Sequence, residues 1–194
     1  SLGRPLALHD DDIHIELPSA LDDDALENPP ASTTELSQRL SPFLHHVQLR
    51  KIQSKIHRSM YTSRSVQALS LHERQTLRTE IFNELQAWRR DISLLPLPPP
   101  EKVRDISSSY LHPSWYQALY HSGCLLLFRP SATFPAVEAL ESNEEIDDVL
   151  RMIWQSSRLV LARYFELLRA RHLNYSWVCL YTIFMAGLAN IYSV

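Results

Sequence analysis

The scarcity of glycine limits what this chain can fold into. Three of its 194 residues are glycine, whereas twelve are proline. Sheets and barrels use glycine at tight turns and bulges, so this chain is better suited to helices joined by proline-containing loops. We therefore expect an all-α fold. Apolar residues make up 45% of the chain, which is enough for one domain with a substantial core.

Charge is unevenly distributed along the chain, although the net charge is only −3. Residues 1–31 contain eight acidic residues and one arginine, a balance of −7, and residues 32–95 contain ten basic and five acidic residues, a balance of +5. The composition excludes a disordered chain and a strongly basic nucleic-acid binder. The acidic arm could lie against the basic helices through electrostatic attraction.

Four segments follow from the positions of proline and of the apolar residues. Residues 1–31 are predicted to form an extended arm, because prolines interrupt it and apolar residues alternate with polar ones at 13–17. Residues 32–95 are predicted to form a first helical pair, and residues 96–109 a proline-rich connector. Residues 110–194 supply aromatic-rich helices, which gives an irregular domain of about five main helices.

Capping boxes mark several of the predicted helix starts. In this motif a serine and a glutamate three residues later satisfy free backbone N–H groups. The spacing occurs at Ser32 and Glu35, at Ser70 and Glu73, and at Ser142 and Glu145. Ser41-Pro42 is an alternative start for the first helix, which we expect to reach about Met60. The helix after Ser142 is expected to span about 144–172.

The second helix has the clearest apolar stripe. Its members are spaced by three or four residues: Leu77, Ile81, Leu85, Trp88 and Ile92. The third helix is predicted to open at His112-Pro113-Ser114 and to end before Arg129-Pro130, because proline disrupts the helix interior. Residues 173–194 contain no charged side chain. Polar residues interrupt them, so a fully buried central helix of a larger helical domain is favoured over a membrane span.

Residues typical of catalytic or metal sites are few. His121 and Cys124 have i, i+3 spacing, but two ligands without a third or fourth do not form a metal site. Cys124 and Cys179 are 55 positions apart and indicate neither a disulfide framework nor a zinc site, which suits a reducing compartment. The chain begins at Ser1 without an apolar leader, so no signal peptide is expected. We assign no catalytic residue and no metal ligand.

Aromatic residues are concentrated in the second half of the chain. They could line a cavity for a flat apolar ligand, although aromatic core packing explains them equally without one. The candidate pocket residues are Trp115, Tyr116, Tyr120, His121, Trp154, Tyr164, Trp177 and Tyr181.

Four short motifs occur in one order along the chain. They are Leu2-Gly3-Arg4-Pro5-Leu6 with Asp11-Asp12-Ile13 and Glu16-Leu17-Pro18; Leu85-x-x-Trp88-Arg89 with Leu95-Pro96; Tyr120-His121 through Arg129-Pro130; and Ala186-Gly187-Leu188 through Tyr192. Together they resemble the regulatory domain, or middle homology region, of fungal transcription factors of the six-cysteine binuclear zinc cluster type. Each motif alone is weak, but four in register are fairly specific.

This resemblance implies a C-terminal portion of that domain, with several helices before Ser1 in the native protein. DNA binding and zinc are then expected only in the parent protein, through an N-terminal cluster of six closely spaced cysteines, and no cofactor is expected in this chain. The implied location is the nucleus, with no membrane contact. Candidate partners are a small-molecule effector, a coregulator or a second copy of the chain.

The same resemblance gives structural importance to Gly3, Arg4 and Pro5, along with the motif residues Trp88, Arg129 and Pro130. Gly3 would allow the arm to turn closely against a helix, and Arg4 could then pair with a carboxylate. We expect a regulatory domain that acts by binding rather than by catalysis. The alternative is an enzyme or small-molecule-binding protein that reuses this helical scaffold without a DNA-binding module.

Overall fold

The computed structural model describes residues 13–18, 41–61, 69–98, 102, 109–133, 143–173 and 176–192. These residues contain five α-helices and no strand, so the expected all-α fold is confirmed. The helices are α1 (Ser41–Ile56), α2 (Leu71–Asp91), α3 (Pro113–Thr133), α4 (Asn143–Arg169) and α5 (Trp177–Tyr192). A π-helical turn, His57–Tyr61, extends α1, and short 3-10 turns lie at Ile92–Leu94 and Ser109–Leu111.

Several sequence features lie outside the described residues. The Gly3-Arg4-Pro5 motif, the Ser32 and Ser142 caps and most of the acidic arm are among them. Within the arm, residues 13–18 have no regular secondary structure, and the side chains of Ile13, Ile15 and Leu17 are exposed. The first helix of the described residues begins at Ser41, one of the two predicted starts.

Helix α2 begins with the capping box that its sequence predicts. The Ser70 hydroxyl accepts a hydrogen bond from the backbone N–H of Glu73 at 3.3 Å, and a Glu73 carboxylate oxygen accepts one from the backbone N–H of Ser70 at 2.8 Å. Two otherwise unpaired donors are thereby satisfied. Arg89 and Arg90 lie in the last turn, where positive charge complements the helix dipole.

Helix α3 forms the centre of the fold. It packs against α2 on one side and against α4 along much of its length, while α5 packs mainly against α4. The core contains the predicted stripe of α2, in which Ile81 and Leu85 are fully buried and Trp88 is nearly so. The α3 side chains Tyr116, Cys124 and Leu127 lie in the same core.

The prediction that α3 ends before Arg129-Pro130 is wrong, because α3 continues through Pro130 to Thr133. Proline has no N–H to donate to the carbonyl four residues earlier, here that of Leu126. The Tyr61 hydroxyl donates a hydrogen bond of 2.8 Å to that carbonyl instead. A donor from another helix therefore satisfies the group that Pro130 leaves unpaired.

The expectation of a fully buried last helix is not met within this chain. Only the small side chains Cys179, Ala186 and Ala189 are buried on α5. The outward face carries large apolar side chains at helical spacing: Trp177, Leu180, Phe184, Leu188 and Ile191. The helix is exposed because its packing within this chain is mainly against α4. None of the helices in the described part of the chain is long and apolar enough to cross a membrane.

Candidate ligand-binding groove

Helices α2 and α4 flank α3 and leave a cleft above it. The cleft has a volume of about 380 Å³, and all three helices contribute to its lining. The lining residues are Arg78, Thr79, Phe82, Phe128, Asp148, Val149, Arg151, Met152 and Gln155. This volume lies within the range of roughly 300–1,000 Å³ that is typical of small-molecule sites.

The floor of the cleft is apolar and its rim is charged. The rings of Phe82 and Phe128 meet edge to face with centroids 5.3 Å apart. The Arg78 guanidinium carbon lies 5.8 Å from the Phe128 ring centroid, within cation–π range. Across the cleft, Arg151 forms a 3.1 Å ion pair with Asp148, and both side chains are largely exposed. An amphipathic ligand would find apolar contact below and charged groups above.

The register of α3 and α4 shows which residues face each other along the surface that continues from this cleft. Ser114 on α3 donates a hydrogen bond of 2.8 Å to Glu166 on α4, whereas Phe128, near the other end of α3, lines the cleft with Met152. The helices are therefore antiparallel, and a step forward along α3 corresponds to an equal step backward along α4. We use the name "groove" for the surface over α3 between α2 and α4.

One candidate pocket residue, Tyr116, lies in a buried aromatic cluster with α1 and α2. The His45 and Trp88 rings are stacked with centroids 4.4 Å apart, and the Tyr116 ring lies 5.9 Å from His45. The Trp88 indole N–H donates a 2.8 Å hydrogen bond to the His45 carbonyl. Burial raises the pKa of Tyr116 to about 12 and lowers that of His45. This cluster joins α1 to the centre of the fold.

A second aromatic group joins the start of α3 to the last turns of α4. Trp115 lies between Tyr164, at a centroid distance of 6.3 Å, and Tyr110, at 5.6 Å. Tyr164 is buried, and that burial raises its pKa well above the ordinary value. Trp115 and Tyr116 are neighbours in sequence, yet they contact different helices because successive side chains on a helix point about 100° apart.

Tyr120 and His121 form a third group, facing α2. Their ring centroids are 4.9 Å apart, and the Arg89 guanidinium carbon lies 4.8 Å from the Tyr120 ring. Burial and the positive charges of Arg89 and Arg163 lower the pKa of His121 to about 4. His121 is therefore neutral at pH 7.

The remaining candidate pocket residues lie elsewhere. The Trp154 ring is covered by the Arg158 guanidinium at 4.6 Å, and Trp154 borders a smaller depression of about 280 Å³ on α4. On α5, Trp177 is 68% exposed and Tyr181 is half-buried. The structure thus divides the eight aromatic candidates into separate groups. Ligand binding by them stays a prediction.

The motif residues described by the structure stabilise contacts between helices. The Trp88 indole N–H donates a hydrogen bond to the His45 carbonyl on α1. The Arg129 guanidinium carbon lies 6.0 Å from the Tyr61 ring centroid. Pro130 lies inside α3, one turn after the carbonyl that Tyr61 satisfies. Structural roles of Trp88, Arg129 and Pro130 agree with these contacts and stay a prediction.

Sequence reasoning missed the residues that form the cleft, above all Phe82, Phe128 and Met152. Phe82 follows the core residue Ile81, and Phe128 follows Leu127, so each ring lies at the edge of its own helix's apolar stripe. An aromatic residue at the edge of a stripe was the available signal. It does not reveal which helices meet there.

The cysteines do not fit a zinc cluster. Cys124 and Cys179 are both buried and free, on different helices, and burial raises the pKa of Cys124 to about 11. No group of three or more His, Cys, Asp or Glu side chains that could hold a metal occurs among the described residues.

These features define a helical domain with an amphipathic cleft, and sequence comparison shows which family it resembles. The model of the fungal specific transcription factor domain matches residues 1–90. The chain is similar to this domain family over those 90 residues, which are just under half of its length. Of the motifs that resemble the family, Leu95-Pro96 and the two that end at Pro130 and Tyr192 lie beyond the matched residues.

Two curated relatives are similar over nearly the whole chain. The pyrimidine pathway regulatory protein 1 of Saccharomyces cerevisiae is 22% identical over 197 residues, which covers 98% of this chain and 20% of that protein. The positive regulator of purine utilization of Emericella nidulans is 25% identical over 228 residues, which covers 100% of this chain and 21% of that protein. The chain thus spans about a fifth of the length of these relatives. No solved structure is significantly similar to it.

Proposed function

We propose that this chain is the regulatory domain of a fungal zinc cluster transcription factor that controls transcription by RNA polymerase II in the nucleus. The family match and two relatives that are named as regulators support this assignment. DNA binding, with its zinc, belongs in this proposal to a separate module of the parent protein. The chain itself contributes regulation.

The observation that carries the proposal is the open cleft over α3. An apolar floor with a charged rim suits an effector molecule or a side chain of a coregulator. Because α2, α3 and α4 all line the cleft, a bound molecule would favour one arrangement of the three helices over others. That preference would shift the conformational balance of the factor and thereby its activity.

We further propose that the chain is not an enzyme. Cys124 and Tyr116, whose pKa values burial raises to about 11 and about 12, lie in the packed core rather than in the cleft. A catalytic group needs contact with its substrate as well as a shifted pKa. The cleft itself is lined by groups suited to binding.

The test is a pair of substitutions in the parent gene at its native locus. Met152→Arg places a long charged side chain in the cleft, whereas Leu168→Arg makes a similar change on an exposed position of the same helix outside it. We expect Met152→Arg to change the transcript levels of the regulated genes several-fold at unchanged protein abundance, and Leu168→Arg to behave like the wild type.

Two outcomes would contradict different parts of the proposal. If deletion of the whole 194-residue segment leaves the transcript profile unchanged, the chain has no regulatory role. If the deletion changes the profile but Met152→Arg does not, the domain is regulatory and the cleft is not its control site.

A further inference from the structure

The groove has a second polar region at the end opposite the apolar cleft. Arg89 comes from α2, His121 from α3 and Arg163 from α4, so three helices each contribute one nitrogen-bearing side chain. None of them lines the apolar cleft. This region, which we name the basic end of the groove, is separate from the site of the proposed function.

Contacts on the α2 side place Arg89 next to His121. The Arg89 guanidinium carbon lies 4.8 Å from the Tyr120 ring, and the Tyr120 and His121 ring centroids are 4.9 Å apart. Tyr120 therefore holds the guanidinium at the edge of the groove.

The helix register places Arg163 on the other side of His121. Since Ser114 contacts Glu166 and α3 and α4 run antiparallel, His121 faces Leu159, one turn along α4 from Arg163. An arginine side chain is long enough to span one turn. The positive charges of both Arg89 and Arg163 also lower the pKa of His121, as expected for groups that lie close together.

The hydrogen-bonding capacity of the three side chains is not used up by the protein. His121 Nδ1 and Arg163 Nε are buried without a partner in the described structure. Arg163 pairs with Glu166 through another nitrogen, and no carboxylate of the described residues lies within ion-pair distance of Arg89. Buried donors without partners cost free energy, which a bound acceptor and a small side-chain adjustment would recover.

We propose that Arg89, His121 and Arg163 bind a small anion carrying a carboxylate or phosphate group. The two guanidinium groups donate charge-assisted hydrogen bonds to its oxygens, and the neutral imidazole donates a further one. This site goes beyond the proposed function, since anion binding by the chain does not depend on a role in transcription.

The test is a titration of the 194-residue chain followed through its histidine-ring NMR signals. Inorganic phosphate and benzoate serve as separate probes, each at an ionic strength held constant with sodium chloride. We expect a saturable shift of the His121 signals with at least one probe. Phosphate alone would indicate a phosphate ligand, and benzoate alone a carboxylate ligand.

A bound anion should also raise the pKa of His121, because a nearby negative charge favours the imidazolium form. The charged or titratable groups near this ring include Arg89 on α2, Tyr120 on α3, and Arg163 with its ion-pair partner Glu166 on α4. A merely structural role of His121 would leave its pKa unchanged on addition of either probe.

Matched variants locate the site. Arg89→Gln should weaken binding roughly tenfold through the loss of a charge-assisted hydrogen bond. Arg89→Lys keeps the charge and should fall between this variant and the wild type. Arg90→Gln, at the neighbouring exposed arginine, should bind like the wild type. A shift that does not saturate with either probe, or equal binding by Arg89→Gln and Arg90→Gln, would overturn the proposal.

Discussion

The hydroxyl of Tyr61 donates a hydrogen bond of 2.8 Å to the main-chain carbonyl of Leu126, 65 residues further along the chain. This carbonyl would accept from residue 130 in an uninterrupted helix, but residue 130 is a proline. The π-helical turn that ends at Tyr61 thus supplies the donor that α3 lacks. The two helices depend on each other at this point.

This dependence predicts a non-additive pair of substitutions. Tyr61→Phe removes the donor and leaves a partly buried carbonyl unpaired, so we expect it to lower the free energy of unfolding by about 1–3 kcal/mol in denaturant melts. Pro130→Ala restores an N–H to α3, and in that background Tyr61→Phe should cost measurably less. Tyr192→Phe, at a tyrosine that is 92% exposed, is the control and should have no effect. Equal costs of Tyr61→Phe in both backgrounds would contradict this account.

The capping box of α2 gives a second prediction. Ser70→Ala should lower the free energy of unfolding by about 1 kcal/mol, because it removes the acceptor for the Glu73 N–H. Glu73→Gln should cost less, since glutamine can also accept from the Ser70 backbone. Thr79→Ala, in the middle of the same helix, should stay within about 0.5 kcal/mol of the wild type. Comparable losses for Thr79→Ala and Ser70→Ala would mean that capping is not the cause.

The two helical glycines described by the structure should respond to alanine in opposite ways. A Cβ atom at Gly123 would lie 3.0 Å from a methyl carbon of the fully buried Leu85, whereas one at Gly187 would meet nothing within 4 Å. We expect Gly187→Ala to stabilise the chain by about 0.5–1 kcal/mol through helix propensity. Gly123→Ala should destabilise it, because overpacking costs about 1–3 kcal/mol. Thermal unfolding of both variants checks this, and stabilisation by Gly123→Ala would show that Leu85 can move aside.

The half-buried His46 makes stability depend on pH. Burial, together with the positive charges of Arg50 and His45, lowers the pKa of His46 from 6.5 to about 4. Below pH 6.5 the unfolded chain therefore binds a proton that the folded chain does not, and stability falls as the pH drops toward 4. The contribution of the neutral His46 side chain to stability is fully present above pH 6.5.

Denaturant melts at several pH values measure this effect. His46→Gln should reduce the number of protons taken up on unfolding in this range by up to about one. His72→Gln, at an exposed histidine of α2, is the control and should leave the pH dependence as it is. If the free energy of unfolding of the His46→Gln variant changes with pH as steeply as that of the wild type, other groups cause the effect.

Features set by residues close together in sequence were predictable. The Ser70 cap, the apolar stripe of α2 and the start of α1 at Ser41-Pro42 all depend on local spacing, and the structure contains each of them. The end of α3 was not predictable in this way. Its continuation through Pro130 depends on a hydroxyl group that only the tertiary fold brings near.

The candidate site was harder to predict because it lies between helices. Counting aromatic residues drew attention to Trp115 and Tyr116, which the structure places against different neighbours. The cleft itself is lined by Phe82 and Phe128, whose positions on their helices give no indication that the two rings touch. The helical spacing of apolar residues identifies the apolar face of each helix, but it does not identify the neighbouring helix against which that face packs.

The apolar outward face of α5 has a consequence for how molecules of this chain attract one another. Exposed side chains such as Trp177, Phe184 and Ile191 lie on a helix without any charge to repel a neighbour. Salts that are excluded from protein surfaces strengthen apolar attraction, so ammonium sulfate should make the second virial coefficient of the isolated chain markedly more negative. Its colloidal behaviour in solution would then be governed by a single helix.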